Sequence, residues 1–364
     1  MKSKAAPTSA LNLAVEAFAL ANARKLMSCS GSLAQMALSR YGAALATVRD
    51  AITRHVLTAD DDMLMAILII DMFEVVFMVR EEPLKLHDKA IEYLLSARGT
   101  KQVESVTGRA IYRMANHRLQ LRQLGLGLEP LPVQLACAKI LDQSTPAHSL
   151  GKIQLGAQQT LAISRYLLYS SSSGWEDLLC LFFQIQVHLS EFEQWKIDLS
   201  GSWKPKRVHL AEHNDVLELL IARSVPCTQY VLIYEDPVIT HQMAFFYQGQ
   251  LALRSALLDA MTEMKSICPD QFTIANLEQE IDTQYKAIYH SVGALVESVT
   301  PLLGSIDIDE TGSISLTGKK IALCFARAVC WALQQEKRVP MEHKDFTYRV
   351  EDWIRQETDI YRVC

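Results

Sequence analysis

The run Asp60-Asp-Asp-Met-Leu-Met-Ala-Ile-Leu-Ile-Ile-Asp-Met-Phe-Glu-Val-Val-Phe-Met-Val79 decides the fold class. Three acids open it, which suits a helix first turn. Apolar residues fill the rest, and Asp71 and Glu74 are its only interior charges. Met63–Val79 is too short and too charged for a membrane span. A polar break with Pro83 follows, then a second amphipathic helix from Leu84 to Arg98-Gly99, carrying His87, Ala90, Leu94 and Leu95. Gly99 can take the left-handed conformation that ends a helix.

The same texture continues outward. The chain has 364 residues, 49% of them hydrophobic, with 15 Gly and 11 Pro, enough for a large buried core. Low Gly and Pro with helical apolar spacing predict an all-α protein, a large helical bundle or an α-solenoid-like stack of helix pairs. Helices are expected at 10–27, 32–57, 62–79, 84–98, 104–123, 131–142, 150–170, 175–198, 210–223, 238–266, 271–303, 317–336 and 342–360. The alternation Ile306-Asp-Ile-Asp-Glu-Thr-Gly-Ser-Ile-Ser-Leu316 predicts at most one small β-hairpin. Residues 1–28 read as a partly helical extension with a polar, disordered tip, and 29–364 as a single helical domain. The best linker candidate is Ser200–Val208.

Charge and cysteine usage limit the function classes. Net charge is −5, with 36 Lys+Arg and 41 Asp+Glu interspersed. A surface that holds nucleic acid by itself is usually basic, so direct nucleic-acid binding is not expected. Eight scattered cysteines contain no Cys-x-x-Cys pair, so no zinc site is written. Most sit in apolar helical context and are expected to be buried thiols. Without a signal peptide, the expected compartment is reducing, nucleus or cytoplasm.

The order of the opening block, an apolar helix with Phe73-Glu74, a break, then His87, Ala90, Leu94-Leu95 and Arg98-Gly99, resembles the regulatory region of fungal zinc-cluster transcription factors. Further likenesses are Tyr41 with Ala43 to Leu45, Arg113 to Arg118 with Leu131-Pro132, the stretch Val231–Tyr247, Gly318–Leu333 and Trp353-Ile354. The resemblance covers roughly residues 30–360. Met243 and Ala244 replace the usual Trp-Asn, and Gln248 replaces an Arg. The Cys-x2-Cys-x6-Cys DNA-reading module is not found in the sequence. The resemblance implies a helical fold and a role in gene regulation, tied to secondary metabolism. It also implies that Glu74, His87 and Arg98 hold helices together.

Several residues are candidates for a site. Asp71 and Glu74 lie three apart on one helix face, and buried carboxylates are costly unless paired or protonated. Asp71 does not follow the family pattern. It is therefore the better candidate for a pocket acid; for the pair, the alternative is a structural acid reaching His87 or Arg98. His188, Glu191, Trp195 and Trp203 form one polar and aromatic cluster. Tyr230, Tyr234, Glu235, Asp236 and His241 form another. Ligand-binding candidates are Asp71, His188, Trp195, Tyr230, Tyr234 and His241, each set against satisfied aromatic core.

Three weaker patterns favour bland explanations. His209-x-x-Glu212-His213 matches a zinc-protease spacing but reads as an exposed first helical turn. Asp307-x-Asp309-x-Thr311-Gly312-x-Ile314 fits the start of a calcium loop, but Gly318 stands where the bidentate Glu belongs. Lys204-Pro-Lys-Arg207 fits a short import signal, with a solvated loop favoured.

The expected function is a transcription-factor-like regulatory or ligand-sensing protein without its own DNA-binding cluster. The alternative is a cofactor-free isomerase or cyclase using pocket acids such as Asp71 as a catalytic group. Neither needs a cofactor or a metal. Expected partners are a small-molecule ligand and a protein partner or second copy, with no direct nucleic acid and no membrane.

Overall fold

A computed structural model describes residues 9–23, 30–53, 59–78, 87–142, 144–169, 173–304, 306–308, 314–316 and 322–358. Among them are thirteen α-helices, and the fold class is all-α. The chain divides into two compact units. The first holds residues 1–119, 131–141 and 354–364, and the second holds 120–130 and 142–353. The Ser200–Val208 stretch lies within the second. The polar tip of residues 1–8 and the Pro83 break lie outside the described residues. So do the Ser170–Ser172 part of the expected loop and the Thr311-Gly312 turn.

In the first unit, α1 (Ala10–Ala23) buries Ala10, Leu13, Ala14, Ala17 and Ala21. This small-residue stripe at helical spacing lets α2 (Ser30–Thr53) approach closely, and α2 answers with Ala34, Ala37, Tyr41, Ala44 and Val48. α3 (Asp61–Phe73) begins as the sequence predicts. Asp60 is its N-cap, accepting from the Met63 amide at 2.8 Å, and Asp61 and Asp62 occupy the first turn. At Glu74 the helix widens to a π turn, Glu74–Met78, with all five residues buried. Tyr41 stacks on Phe73 at 4.9 Å, and Phe18 meets Phe77 edge-on at 5.4 Å.

α4 (Asp88–Arg98) ends on Gly99 at φ 58°, ψ −151°, a region that side chains avoid. A 3-10 turn, Gly99–Val103, follows. The buried Gln102 donates there to the Leu95 and Gly99 carbonyls at 3.1 and 2.6 Å. α5 (Val106–Leu126) starts in this unit, and α6 (Pro132–Ile140) packs beside the 3-10 turn.

The second unit is organised around α10 (Pro237–Ile267). Every residue from Met243 to Leu251 is buried. A helix buried on all sides must be surrounded, and α7 (Pro146–Tyr169), α8 (Trp175–Ile197), α11 (Gln271–Gly304) and α12 (Ala322–Gln335) pack on it. Asp236 caps its start, accepting from the Val238 amide at 2.6 Å, with Pro237 at the first helical position.

Buried glutamines tie the helices. Gln154 donates to the Phe245 carbonyl at 2.6 Å, Gln120 to Gly151 at 2.7 Å, and Gln158 to Gln120 at 2.8 Å. Each donation gives a buried side-chain amide the partner its burial requires.

The expected hairpin appears as β3 (Ile306–Ile308) paired with β4 (Ile314–Leu316). A second ladder was not anticipated. β1 (Lys206–His209) runs antiparallel to β2 (Tyr230–Ile233), with His209 opposite Tyr230. It shortens the expected 210–223 helix to α9 (Asn214–Ala222). α13 (Met341–Thr358) closes the described chain.

The cysteine expectation holds only in part. Cys137 and Cys330 are buried thiols, but Cys180 is exposed and Cys227 and Cys268 are half-buried. Among the described residues, no helix is long and apolar enough to cross a membrane.

Candidate functional site

Asp71 has a partner that explains its burial. It is 2% exposed in the first unit. Arg118 of α5 grips it with a fork, Nε to Oδ2 at 2.7 Å and Nη2 to Oδ1 at 3.0 Å. The same Nη2 lies 3.8 Å from Asp88 Oδ1. Burial pulls the Arg118 guanidinium down, but Asp71 and Asp88 outweigh it and hold it above its ordinary value. Of the expected structural partners, His87 serves Glu74 and Arg98 serves neither acid. His87 Nε2 meets Glu74 at 3.1 Å, where Tyr41 Oη also donates at 2.5 Å. Arg98 pairs with Asp61. With both oxygens committed to a guanidinium, Asp71 is poorly suited to moving protons.

His188 and Trp195 line an open cleft of about 650 Å³ between α7 and α8 in the second unit. On α8, His188, Glu191, Trp195 and Asp198 recur at helical spacing and share a face. On α7, Ser149, Lys152, Ile153 and Gly156 do the same. The expected 150–170 helix held Lys152, Ile153 and Gly156 of the α7 wall and missed only its first turn with Ser149. The available signal was Thr145-Pro146, a capping residue followed by proline at the first helical position.

His188 is held at both nitrogens. Nδ1 meets Glu191 Oε2 at 2.8 Å, and Nε2 meets Thr160 Oγ1 at 3.0 Å. A carboxylate only accepts, so Nδ1 carries the hydrogen and the Thr160 hydroxyl donates to Nε2. The ring edge presses on α7, where a Cβ at Gly156 would stand 3.0 Å from Cε1. Hydroxyl, imidazole and carboxylate therefore lie in relay order, but Thr160 is only 4% exposed.

Trp195 is similarly committed. Its Nε1 donates to Pro146 O at 2.9 Å and Ser149 Oγ at 3.0 Å, and its ring stacks on Phe246 at 5.2 Å. Trp203 meets it edge-on at 5.9 Å. The charged groups left open to the cleft are Lys152 on one wall and Glu191 and Asp198 on the other.

The other three candidates have separate settings within the second unit. Tyr230 stacks on His209 at 4.8 Å and carries the Arg207 guanidinium 4.1 Å from its ring centre. Arg207 is itself forked onto Glu297 at 2.9 and 2.6 Å. Tyr234 is buried and its hydroxyl meets no hydrogen-bond partner among the described residues; burial first, then Tyr247, drives its pKa upward. His241 stacks on Phe325 at 4.1 Å. Asp236 is the α10 cap.

The zinc-protease spacing has lost its helix. His209 ends β1, Leu210–Glu212 is a 3-10 turn, and His213 precedes α9. Among the described residues no group of His, Cys, Asp and Glu is arranged to hold a metal. The calcium-like loop lies mostly outside those residues. Lys206 and Arg207, expected in a solvated loop, belong to β1. The chain matches no protein-family profile, and no curated protein or solved structure shows significant similarity to it.

Proposed function

We propose that this chain is a ligand-sensing regulatory protein that acts through a partner or a small molecule rather than through its own grip on DNA. The observation that carries this reading is the α7–α8 cleft. Its volume of about 650 Å³ falls in the range of small-molecule sites, roughly 300–1,000 Å³. Its lining mixes the apolar Pro146, Ile153, Trp195 and Leu199 with polar and charged groups, as such sites do. The resemblance to zinc-cluster regulatory regions adds the regulatory role and the link to secondary metabolism. Net charge of −5 favours indirect action.

A catalytic reading has one observation on its side, the Thr160–His188–Glu191 chain. The buried hydroxyl weakens it, and the Arg118 fork removes Asp71 as the pocket acid. Gene deletion in the native host, with transcripts and metabolites measured together, separates the two. The regulator predicts a collapse of transcripts across a gene set. Unchanged transcripts with an accumulated intermediate would overturn it and favour the catalyst.

A further inference from the structure

We propose that the α7–α8 cleft binds a small zwitterion, with the ligand carboxylate on Lys152 and its ammonium on the acidic α8 wall, where Glu191 and Asp198 stand about 10 Å apart. This rests on the reading of the same cleft as a sensing site and names the class of molecule sensed. Lys152 is exposed on α7 and makes no ion pair among the described residues. Glu191 and Asp198 face the cleft from α8, seven residues apart and so on one side of the helix. Each acid is only half occupied within the protein. Glu191 holds His188 through Oε2, and Asp198 accepts from Gln194 Nε2 at 2.8 Å through Oδ1.

Opposite charges on facing walls select a ligand by its charge pattern. An anion alone would pair with Lys152 but meet two carboxylates. A cation alone would satisfy the acids and face an ammonium. A phosphate-rich ligand meets more negative than positive charge. A neutral apolar molecule would cover all three charges without pairing any. An amine and a carboxylate on one small body match both walls, and Ile153 and Leu199 give its apolar part a floor. His188 does not compete, since both its nitrogens are engaged.

The test is calorimetric titration of the full chain with each of the twenty proteinogenic amino acids, then with fragments of the best binder. For phenylalanine these are 2-phenylethylamine, which lacks the carboxylate, and 3-phenylpropionate, which lacks the amine. At least one amino acid should saturate a single site, and each fragment should bind at least tenfold more weakly. Lys152→Met should weaken the amino acid about tenfold, one lost charge pairing, while leaving the amine fragment's affinity unchanged or improved. Glu191→Gln with Asp198→Asn should do the reverse. The amide of Glu191→Gln still accepts from His188, so the cleft keeps its shape, and far-UV circular dichroism checks this.

The proposal fails if no amino acid saturates at about 1 mM. It also fails if a fragment binds as tightly as its parent or if the variants change nothing. Those failures leave the regulator reading standing, because the deletion experiment reads it independently.

Discussion

Replacing Arg118 with Met decides whether Asp71 is a structural acid or a site acid. The substitution keeps the length of the side chain and removes its charge. Asp71, 2% exposed, would lose two hydrogen bonds of 2.7 and 3.0 Å, and Asp88, fully buried, would lose a cation 3.8 Å away. Breaking a buried ion pair from one side typically costs about 3–5 kcal/mol, because the remaining charge stays buried. Arg118→Met strands Asp71 and takes a cation from beside Asp88, so it belongs at the upper end. Asp71→Asn leaves one accepting oxygen for the fork, and Arg118 keeps Asp88, so about 1–3 kcal/mol is expected.

The double variant should cost less than the sum of the two singles, with a coupling of about 1–3 kcal/mol. Urea unfolding followed by far-UV circular dichroism gives the free energies. Hydrogen exchange read peptide by peptide should place the loss of protection in α3, α4 and α5. If both single variants stay within about 0.5 kcal/mol of the parent, the structural account of Asp71 is wrong. It is also wrong if the losses simply add. An acid serving a ligand would instead leave stability intact and abolish binding.

Acid should weaken the protein through His117. Burial, with Arg118 beside it, lowers its pKa from 6.5 to about 4. Between those values the unfolded chain binds a proton that the folded one refuses. Stability therefore falls as pH drops through that window, by on the order of 3 kcal/mol in full. His117→Gln should flatten the change in urea midpoint between pH 7 and 4.5, and an identical pH dependence would refute the assignment. Gly99→Ala tests the α4 stop. Nothing lies within 4 Å of the added Cβ, so the expected loss of about 1–3 kcal/mol in chemical denaturation is backbone strain alone. Gln154→Leu removes the donor to the Phe245 carbonyl and should cost about 1–2 kcal/mol. A thermal midpoint equal to the parent's would show that this glutamine does not tie α7 to α10.

Local pattern carried most of the fold. The expected 175–198 and 271–303 are Trp175–Ile197 and Gln271–Gly304 in the structure, because apolar periodicity and end signals are local properties. The β1–β2 ladder depends on a pairing across some twenty residues, with strands of four residues each. Tyr230-Val-Leu-Ile233 has strand chemistry, but nothing nearby in sequence names its partner. The π turn at Glu74 keeps an ordinary helical composition and leaves no mark. Half of the cleft could be found from the spacing of His188, Glu191 and Trp195. The other wall lies on a different helix, and periodicity within one helix says nothing about what faces it.

The same limit governs Asp71, and there both halves of the answer were in the sequence. An acid on the apolar stripe of α3 needs a counter-charge or a proton. On α5 the buried face runs through Ile111, Ala115 and Leu119, and Arg118 falls beside it, a cation on an inward face. Each residue alone breaks the pattern of its helix, and each alone invites a functional explanation. Together they cancel, at a separation of 47 positions that no local spacing reveals. A buried charge is thus evidence first for an opposite charge elsewhere in the chain. It becomes evidence for chemistry only where its oxygens remain free.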